Sequence, residues 1–234
     1  MKNILTSLFV FFLVIAVINT AEANLIHNGS FETPEIGGVE ADGNNIISSD
    51  GGSSWTVFTK IDGGWTTNIG QGIEIQENGT VSGILAEDGD QYVELDSHPT
   101  PGDTKMGQVV NLSVGSYELS FYYISRTTDA NGTNGISYGY DNTTLGSTLF
   151  SNLWVQYSSI FTVETAGNHN IWFQSFGSSS VFATDADTVF ATDDDTVGGF
   201  IDNVVLNPVP EPATMLLFGT GLIGLAGLTR RKKK

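Results

Sequence analysis

The run Tyr117-Glu118-Leu119-Ser120-Phe121-Tyr122-Tyr123 alternates: Tyr117, Leu119, Phe121 and Tyr123 fall on one side of an extended chain, and Glu118, Ser120 and Tyr122 on the other. A period of two marks a strand with one buried face. Working outward, Val155–Val163 alternates in part. Asn170-Ile171-Trp172-Phe173-Gln174 sets Ile171 and Phe173 on one side and Trp172 on the other. Further strands are expected over Trp55–Lys60, Ile73–Glu77, Gln91–Asp96, Met106–Leu112 and Phe200–Leu206. Turn signals separate them: Gly51-Gly52, Asp62-Gly63-Gly64, Asn78-Gly79, Asp88-Gly89-Asp90, Asn131-Gly132 and Gly167-Asn168. No long 3.6-residue period interrupts the pattern. The expected fold class is therefore all-β, an antiparallel β-sandwich or jelly roll, without an internal boundary between residues 24 and 207.

Charge narrows the partners. Within 24–209 three cations, Lys60, Lys105 and Arg126, stand against 24 carboxylates, a formal charge of −21. Such a surface repels a phosphate backbone, so nucleic acid is excluded as a partner. Cations and neutral polymers stay compatible with it. The chain has no cysteine, which removes disulfides, thiolate zinc sites and cysteine nucleophiles. His27, His98 and His169 form no metal-spaced pair, and there is no G-x-S-x-G elbow, so no catalytic residue is nominated. Gly219-Thr220-Gly221-Leu222-Ile223-Gly224 matches G-x-G-x-x-G but lacks a βαβ context and ends in lysines, so it is not a dinucleotide site.

Both flanks read as addresses. Residues 1–23 combine Lys2, an apolar run from Ile4 to Ile18 and Ala21-Glu22-Ala23, the pattern of a cleaved signal peptide. At the other end Pro210-Glu211-Pro212 precedes an apolar helix expected over 213–228 and the basic cluster 230–234, which favours a cytoplasmic location. Residues 208–234 thus resemble the PEP-CTERM sorting signal of Gram-negative bacteria. The resemblance implies processing by an integral-membrane exosortase near Pro210, Glu211 and Pro212, with transient anchoring in the inner membrane. Release or transfer to the cell surface would follow. It also implies an association with exopolysaccharide and biofilm.

The domain carries a second resemblance. Asn28-Gly29-Ser30-Phe31-Glu32 opens it, Gly89-Asp90-Gln91-Tyr92-Val93-Glu94-Leu95 lies in the middle, and Phe200-Ile201-Asp202-Asn203-Val204 closes it. Together they resemble galactose-binding-like jelly rolls, a group that includes carbohydrate-binding modules. The resemblance implies a structural calcium held by Glu32 and Asp202. In the closing strand, Asp202 is expected to share a face with Phe200, Val204 and Leu206. A buried carboxylate there needs a partner, a metal, or a bulge that turns it aside. For sugar stacking the expected aromatics are Trp172, whose neighbours fill the opposite face, then Trp65 and Tyr92. Residues 181–196 hold a tandem octapeptide, Val-Phe-Ala-Thr-Asp-Ala/Asp-Asp-Thr, read as a loop insert in preference to a calcium loop. The functional expectation is an exported surface or matrix protein, not an enzyme, that binds extracellular polysaccharide. The alternatives are a purely structural or adhesive matrix protein without a sugar ligand, and a secreted polysaccharide hydrolase.

Overall fold

The alternation at Tyr117–Tyr123 becomes the central strand of one sheet because its four inward side chains pack between two layers. Tyr117, Leu119, Phe121 and Tyr123 are all buried in one hydrophobic cluster. The computed structural model describes residues 24–36, 46–49, 54–69, 72–95, 103–126, 134–176 and 198–209. They form twelve strands: β1 (Ile46–Ser49), β2 (Trp55–Phe58), β3 (Trp65–Ile69), β4 (Ile73–Glu77), β5 (Gln91–Glu94), β6 (Lys105–Leu112), β7 (Gly115–Ser125), β8 (Gly135–Tyr140), β9 (Thr143–Ser147), β10 (Val155–Val163), β11 (Gly167–Phe176) and β12 (Gly199–Pro208). Every pairing is antiparallel. A seven-stranded sheet runs β1-β2-β4-β5-β12-β7-β10, and a five-stranded sheet runs β3-β6-β11-β8-β9. The fold is the expected two-sheet antiparallel sandwich.

Between the sheets lies an aromatic core. The ring of Phe121 meets Tyr138 at 4.8 Å and Phe173 at 4.9 Å, and Trp65 links Phe173 at 6.1 Å to Phe31 at 5.6 Å. Tilted and edge-on contacts of this kind add to what burial alone contributes. Strands β1, β3, β8 and β9 go beyond the sequence expectation. In β8 Ile136 and Tyr138 do face inward, but its glycines weaken the signal. The expected signal peptide, the Pro210-Glu211-Pro212 motif with the apolar and basic parts of the tail, and the 181–196 repeat lie outside the described residues. Among the described residues no helix is long and apolar enough to cross a membrane.

The segment 24–36 has no strand of its own, yet it joins the two sheets. Leu25 donates its N–H to the Leu206 carbonyl (2.9 Å) and Gly29 accepts from the Val204 N–H (2.8 Å), which ties the segment to β12. On the other sheet, the Gln108 side chain donates to the His27 carbonyl and accepts from the His27 N–H. The Trp65 indole N–H points at the His27 and Asn28 carbonyls. Gln91 completes the anchorage, donating to the Phe31 and Pro34 carbonyls and accepting from the Ile36 N–H at 2.6 Å. Ile26, Phe31 and Ile36 are thereby held in the core.

In β12 the expected shared face is overturned. The register shifts between Asp202 and Val205, and Asn203 sits at φ +48°. The extra residue sends Ile201, Val204 and Leu206 to the core and leaves Phe200 and Asp202 on the outer side. Asp202 is nevertheless fully buried.

Gln91→Leu is expected to orphan one N–H and two carbonyls of the opening segment, lowering stability by about 2–4 kcal/mol. The urea midpoint measures this directly. A midpoint equal to that of the parent chain would show that the anchorage is not structural.

Candidate functional site

The two outer faces of the sandwich differ, and the difference begins with a loop. Residues 78–90 fold back over the seven-stranded sheet, where Val81, Ile84 and Ala86 pack on the buried cluster of Tyr92, Ile124 and Phe200. Trp154 joins them, its ring edge-on to Tyr92 at 6.1 Å and its indole N–H donating to the Leu85 carbonyl. Two carboxylates grip the end of this loop. Asp202 Oδ2 accepts from the backbone N–H groups of Glu87 (2.8 Å) and Asp88 (2.9 Å), and Glu32 Oε1 accepts from those of Asp90 (3.0 Å) and Gln91 (2.9 Å). Asp202 Oδ1 takes the Asn203 N–H at 2.6 Å.

Glu32 and Asp202 therefore converge on one loop, as their pairing in the sequence suggests, and amides satisfy them there. Their oxygens are the hard donors calcium prefers. Both oxygens of Asp202 are already committed to N–H groups, so a cation would have to share or replace those contacts. Among the described residues no three acidic or histidine side chains meet at one point.

Two of the expected sugar-stacking residues are corrected. Trp65 is 0% exposed, since its ring fills the core between Phe31 and Phe173. Tyr92 is also 0% exposed, sealed under the 78–90 loop. Neither can meet a ligand from solvent. The turn glycines beside Trp65 suggested surface, and for Tyr92 the pattern of a short strand cannot reveal a cover formed by a distant loop.

Sequence reasoning missed a polar cluster on the same closed face. Glu74 and Glu94 stand opposite each other on β4 and β5, both fully buried. The Gln76 amide donates to each at 2.7 Å, and Arg126 pairs with Glu94. In β4, Ile-Glu-Ile-Gln-Glu reads as an ordinary half-exposed strand, so the signal was absent. A glycosidase needs two carboxylates that reach the substrate. These are closed to solvent.

The five-stranded sheet has an open outer face. Here Trp172 does turn away from the core, since Ile171 and Phe173 point inward and are fully buried. Its neighbours across the sheet are Gly107 and Gly139. A Cβ on Gly139 would lie 2.5 Å from the Trp172 ring, and one on Gly107 would lie 2.6 Å from the Asn170 side chain. Glycine at these two positions lets the indole and the amide lie flat on the sheet. The Trp172 N–H donates to the Asp141 carbonyl (2.9 Å), and the Lys105 ammonium sits 3.8 Å above the ring centroid. Trp172 is consequently only 5% exposed: it forms the floor under Lys105 and is not a bare platform. Around it the alternation of β6, β8 and β11 presents Asn111, Ser137, Asn168, Asn170 and Gln174. Asn111 donates to Asn168 at 3.0 Å. None of the five strands contains an aspartate or glutamate, whereas the seven-stranded sheet carries Glu74, Glu77, Glu94, Glu118 and Asp202.

Near the start of β11, on the side of the strand that carries Ile171, His169 is held between two acceptors, with Nδ1 2.7 Å from Asp141 Oδ2 and Nε2 2.9 Å from the Thr165 carbonyl. Both nitrogens must carry hydrogen to satisfy both bonds, which favours the imidazolium. The hydrogen bond to Asp141 raises its pKa above the ordinary value.

Residues 208–232 match the family described as the PEP-CTERM protein-sorting motif. That motif implies export, exosortase processing and membrane-anchored sorting to the surface of a Gram-negative cell. No curated protein matches the chain. Among solved structures, the chain is similar to TmCBM61 in complex with β-1,4-galactotriose, at 17% identity and TM-score 0.46, covering 80% of this chain and 99% of that one. It is also similar to the CBM22-1 xylan-binding domain of Xyn10C from Paenibacillus barcinonensis, at 12% identity and TM-score 0.41, covering 64% and 89%. A family 35 carbohydrate-binding module from Clostridium thermocellum is a third, at 13% identity and TM-score 0.37, covering 70% and 97%.

The buried acids generate a pH prediction. Burial, then the Glu74 carboxylate, push Glu94 up to about 8 against the pull of Arg126. Burial pushes Asp202 up to about 7 against three backbone N–H bonds. Both groups hold a proton more tightly folded than unfolded. Their stabilising contribution is present below their ordinary values, 4.5 and 3.8, and is lost as pH climbs through about 7 to 8. His169, also raised, acts in the same direction. The urea midpoint is expected to fall steadily from about pH 5 to pH 8.5, and Glu94→Gln to flatten that slope. A midpoint that rises over this range would contradict the assignment.

Proposed function

We propose that the chain is a non-enzymatic surface or matrix protein that binds extracellular polysaccharide through the outer face of its five-stranded sheet. The observation that carries this reading is the make-up of that face. In a domain of formal charge −21 it is built without a single acidic strand residue, and it presents amides, hydroxyls, the exposed Val109 and one ammonium seated on an indole. Polysaccharides offer rows of hydroxyls along a ribbon-shaped chain. A flat sheet face studded with side-chain amides can pair with such rows without burying an uncompensated charge. On the other outer face the 78–90 loop covers the Tyr92, Ile124 and Phe200 region, and the uncovered part over β7 and β10 carries Glu118. The sorting motif agrees with this reading, since it sends the protein to the compartment where such polymers lie. An association with exopolysaccharide and the biofilm matrix is part of the proposal.

Affinity electrophoresis of the purified chain against galactan, xylan, β-glucan and bacterial exopolysaccharide tests it. At least one polymer is expected to retard the protein, and the double variant Asn170→Ala/Gln174→Ala is expected to abolish the retardation. Binding that survives the double variant would move the site elsewhere. No retardation by any polymer would favour the purely structural reading.

Structural calcium at Glu32 and Asp202 is a separate proposal. Its support is the cost of an ionised, buried Asp202, which a bound cation would relieve. The melting temperature is then expected to be several degrees higher in millimolar calcium than in chelator, with the difference lost in Glu32→Gln. Identical melting in both would leave the amide contacts as the sole partners of these carboxylates.

A further inference from the structure

We infer that the polymer bound by the five-stranded sheet is anionic, a polysaccharide bearing carboxylates such as a uronan, and that Lys105 determines this specificity. The inference rests on the sheet-face reading above and adds the chemical class of the ligand.

Lys105 is a positioned charge. Its ammonium is held 3.8 Å above the Trp172 ring, and the ring is fixed in turn by its N–H bond to the Asp141 carbonyl and by its close approach to Gly139. A surface lysine normally samples many rotamers, and holding one costs entropy at the moment of binding. Here part of that ordering is already in place. The ammonium makes no salt bridge among the described residues, although the domain carries 24 carboxylates. Arg126, by contrast, is paired with Glu94. A lysine kept unpaired in so acidic a domain, on the sheet whose strands hold no acid, offers a carboxylate an unoccupied partner.

A neutral sugar is served less well by the same geometry. To stack on Trp172 it would have to displace the ammonium from the ring, because the indole is only 5% exposed beneath it. An anionic sugar meets the ammonium where it stands, and the amides of Asn170 and Gln174 supply further N–H donors to its carboxylate.

Net charge opposes a polyanion at long range, as it does a phosphate backbone, so the inference rests on the local make-up of this face. Charges farther apart than the Debye length, about 8 Å at physiological salt, are largely screened. Packed sheets lie about 10 Å apart, so the acids of the opposite sheet act weakly at this face. Asp103 and Asp141 lie just outside the strands of this face, and Asp141 is engaged by His169.

Polygalacturonate and its methyl ester share a backbone and differ in charge, so they separate this inference from the reading beneath it. By isothermal titration, the purified chain is expected to bind polygalacturonate more tightly than the ester. Lys105→Met should weaken polygalacturonate binding roughly tenfold, the scale of one charge-assisted hydrogen bond, and leave the ester unchanged. Lys105→Arg should retain most of the affinity. Equal binding of both polymers, lost from both in Asn170→Ala/Gln174→Ala, would overturn the anionic specificity and leave the sheet-face reading intact. Binding of polygalacturonate that is unaffected by Lys105→Met would overturn the role of Lys105. Binding of neither polymer would overturn the anionic class, and the neutral panel alone would then decide the sheet-face reading.

Discussion

The structure depends on the way a segment without regular structure, residues 24–36, is bonded to the last strand. Leu25 and Gly29 pair with Leu206 and Val204, so the two ends of the domain close on each other. The same segment reaches the opposite sheet through Gln108 and Trp65, which makes it the link between the layers. It also delivers Glu32 to the 78–90 loop, where the carboxylate meets Asp202 acting from β12 on the same loop. Held from both sides, that loop covers the Tyr92, Ile124 and Phe200 region of one outer face. Backbone donors do most of this work, which explains why short, polar, loop-forming residues dominate it: each buried N–H or carbonyl left without a partner carries a penalty of a kilocalorie or more.

Charge is distributed by the same architecture. Acidic residues occur in the strands of the seven-stranded sheet and are absent from those of the five-stranded sheet. On the closed face, buried Glu74 and Glu94 require Gln76 and Arg126 beside them, since an uncompensated buried charge is costly. On the open face Lys105 has instead the quadrupole of an indole beneath it. Arg126 is spent on internal neutralisation, and Lys105 is left facing outward. A net charge taken over the whole chain hides this division.

What the sequence made legible follows from these facts. Strands with a clean period of two, β7 above all, were readable because one face is core and the other is not. Trp172 was correctly turned outward by the inward demands of Ile171 and Phe173. Legibility ended wherever a second layer intervened. Tyr92, Glu74 and Glu94 sit on an outer face, so alternation places them in solvent, but all three are buried, Tyr92 beneath the 78–90 loop. Trp65 was obscured for a different reason. Its strand, Trp-Thr-Thr-Asn-Ile, has Thr67 as the next inward residue, whose buried hydroxyl finds no partner, and a hydroxyl breaks the apolar alternation. Lys105 carried no local signal, because the ring it rests on lies on another strand, 67 positions away in register with Gly107. The bulge at Asn203 was likewise invisible, and it reverses the inward and outward sense of half of β12.

The position of β12 has a consequence for how the domain and its address fit together. β12 is the last strand in sequence but lies inside the seven-stranded sheet, paired with β5 on one side and β7 on the other. Without it that sheet divides into two smaller ones, each with a raw edge, and the opening segment loses its partners at Val204 and Leu206. β12 runs to Pro208, and the sorting motif begins at that same residue. Residue 209 is still bonded into the fold, its N–H donated to the Ser116 carbonyl. The address therefore follows the closing strand with almost no spacer. Completion of the sheet and presentation of the sorting signal depend on the same few residues, and strain on the tail would act directly on the strand that holds both ends of the sandwich together.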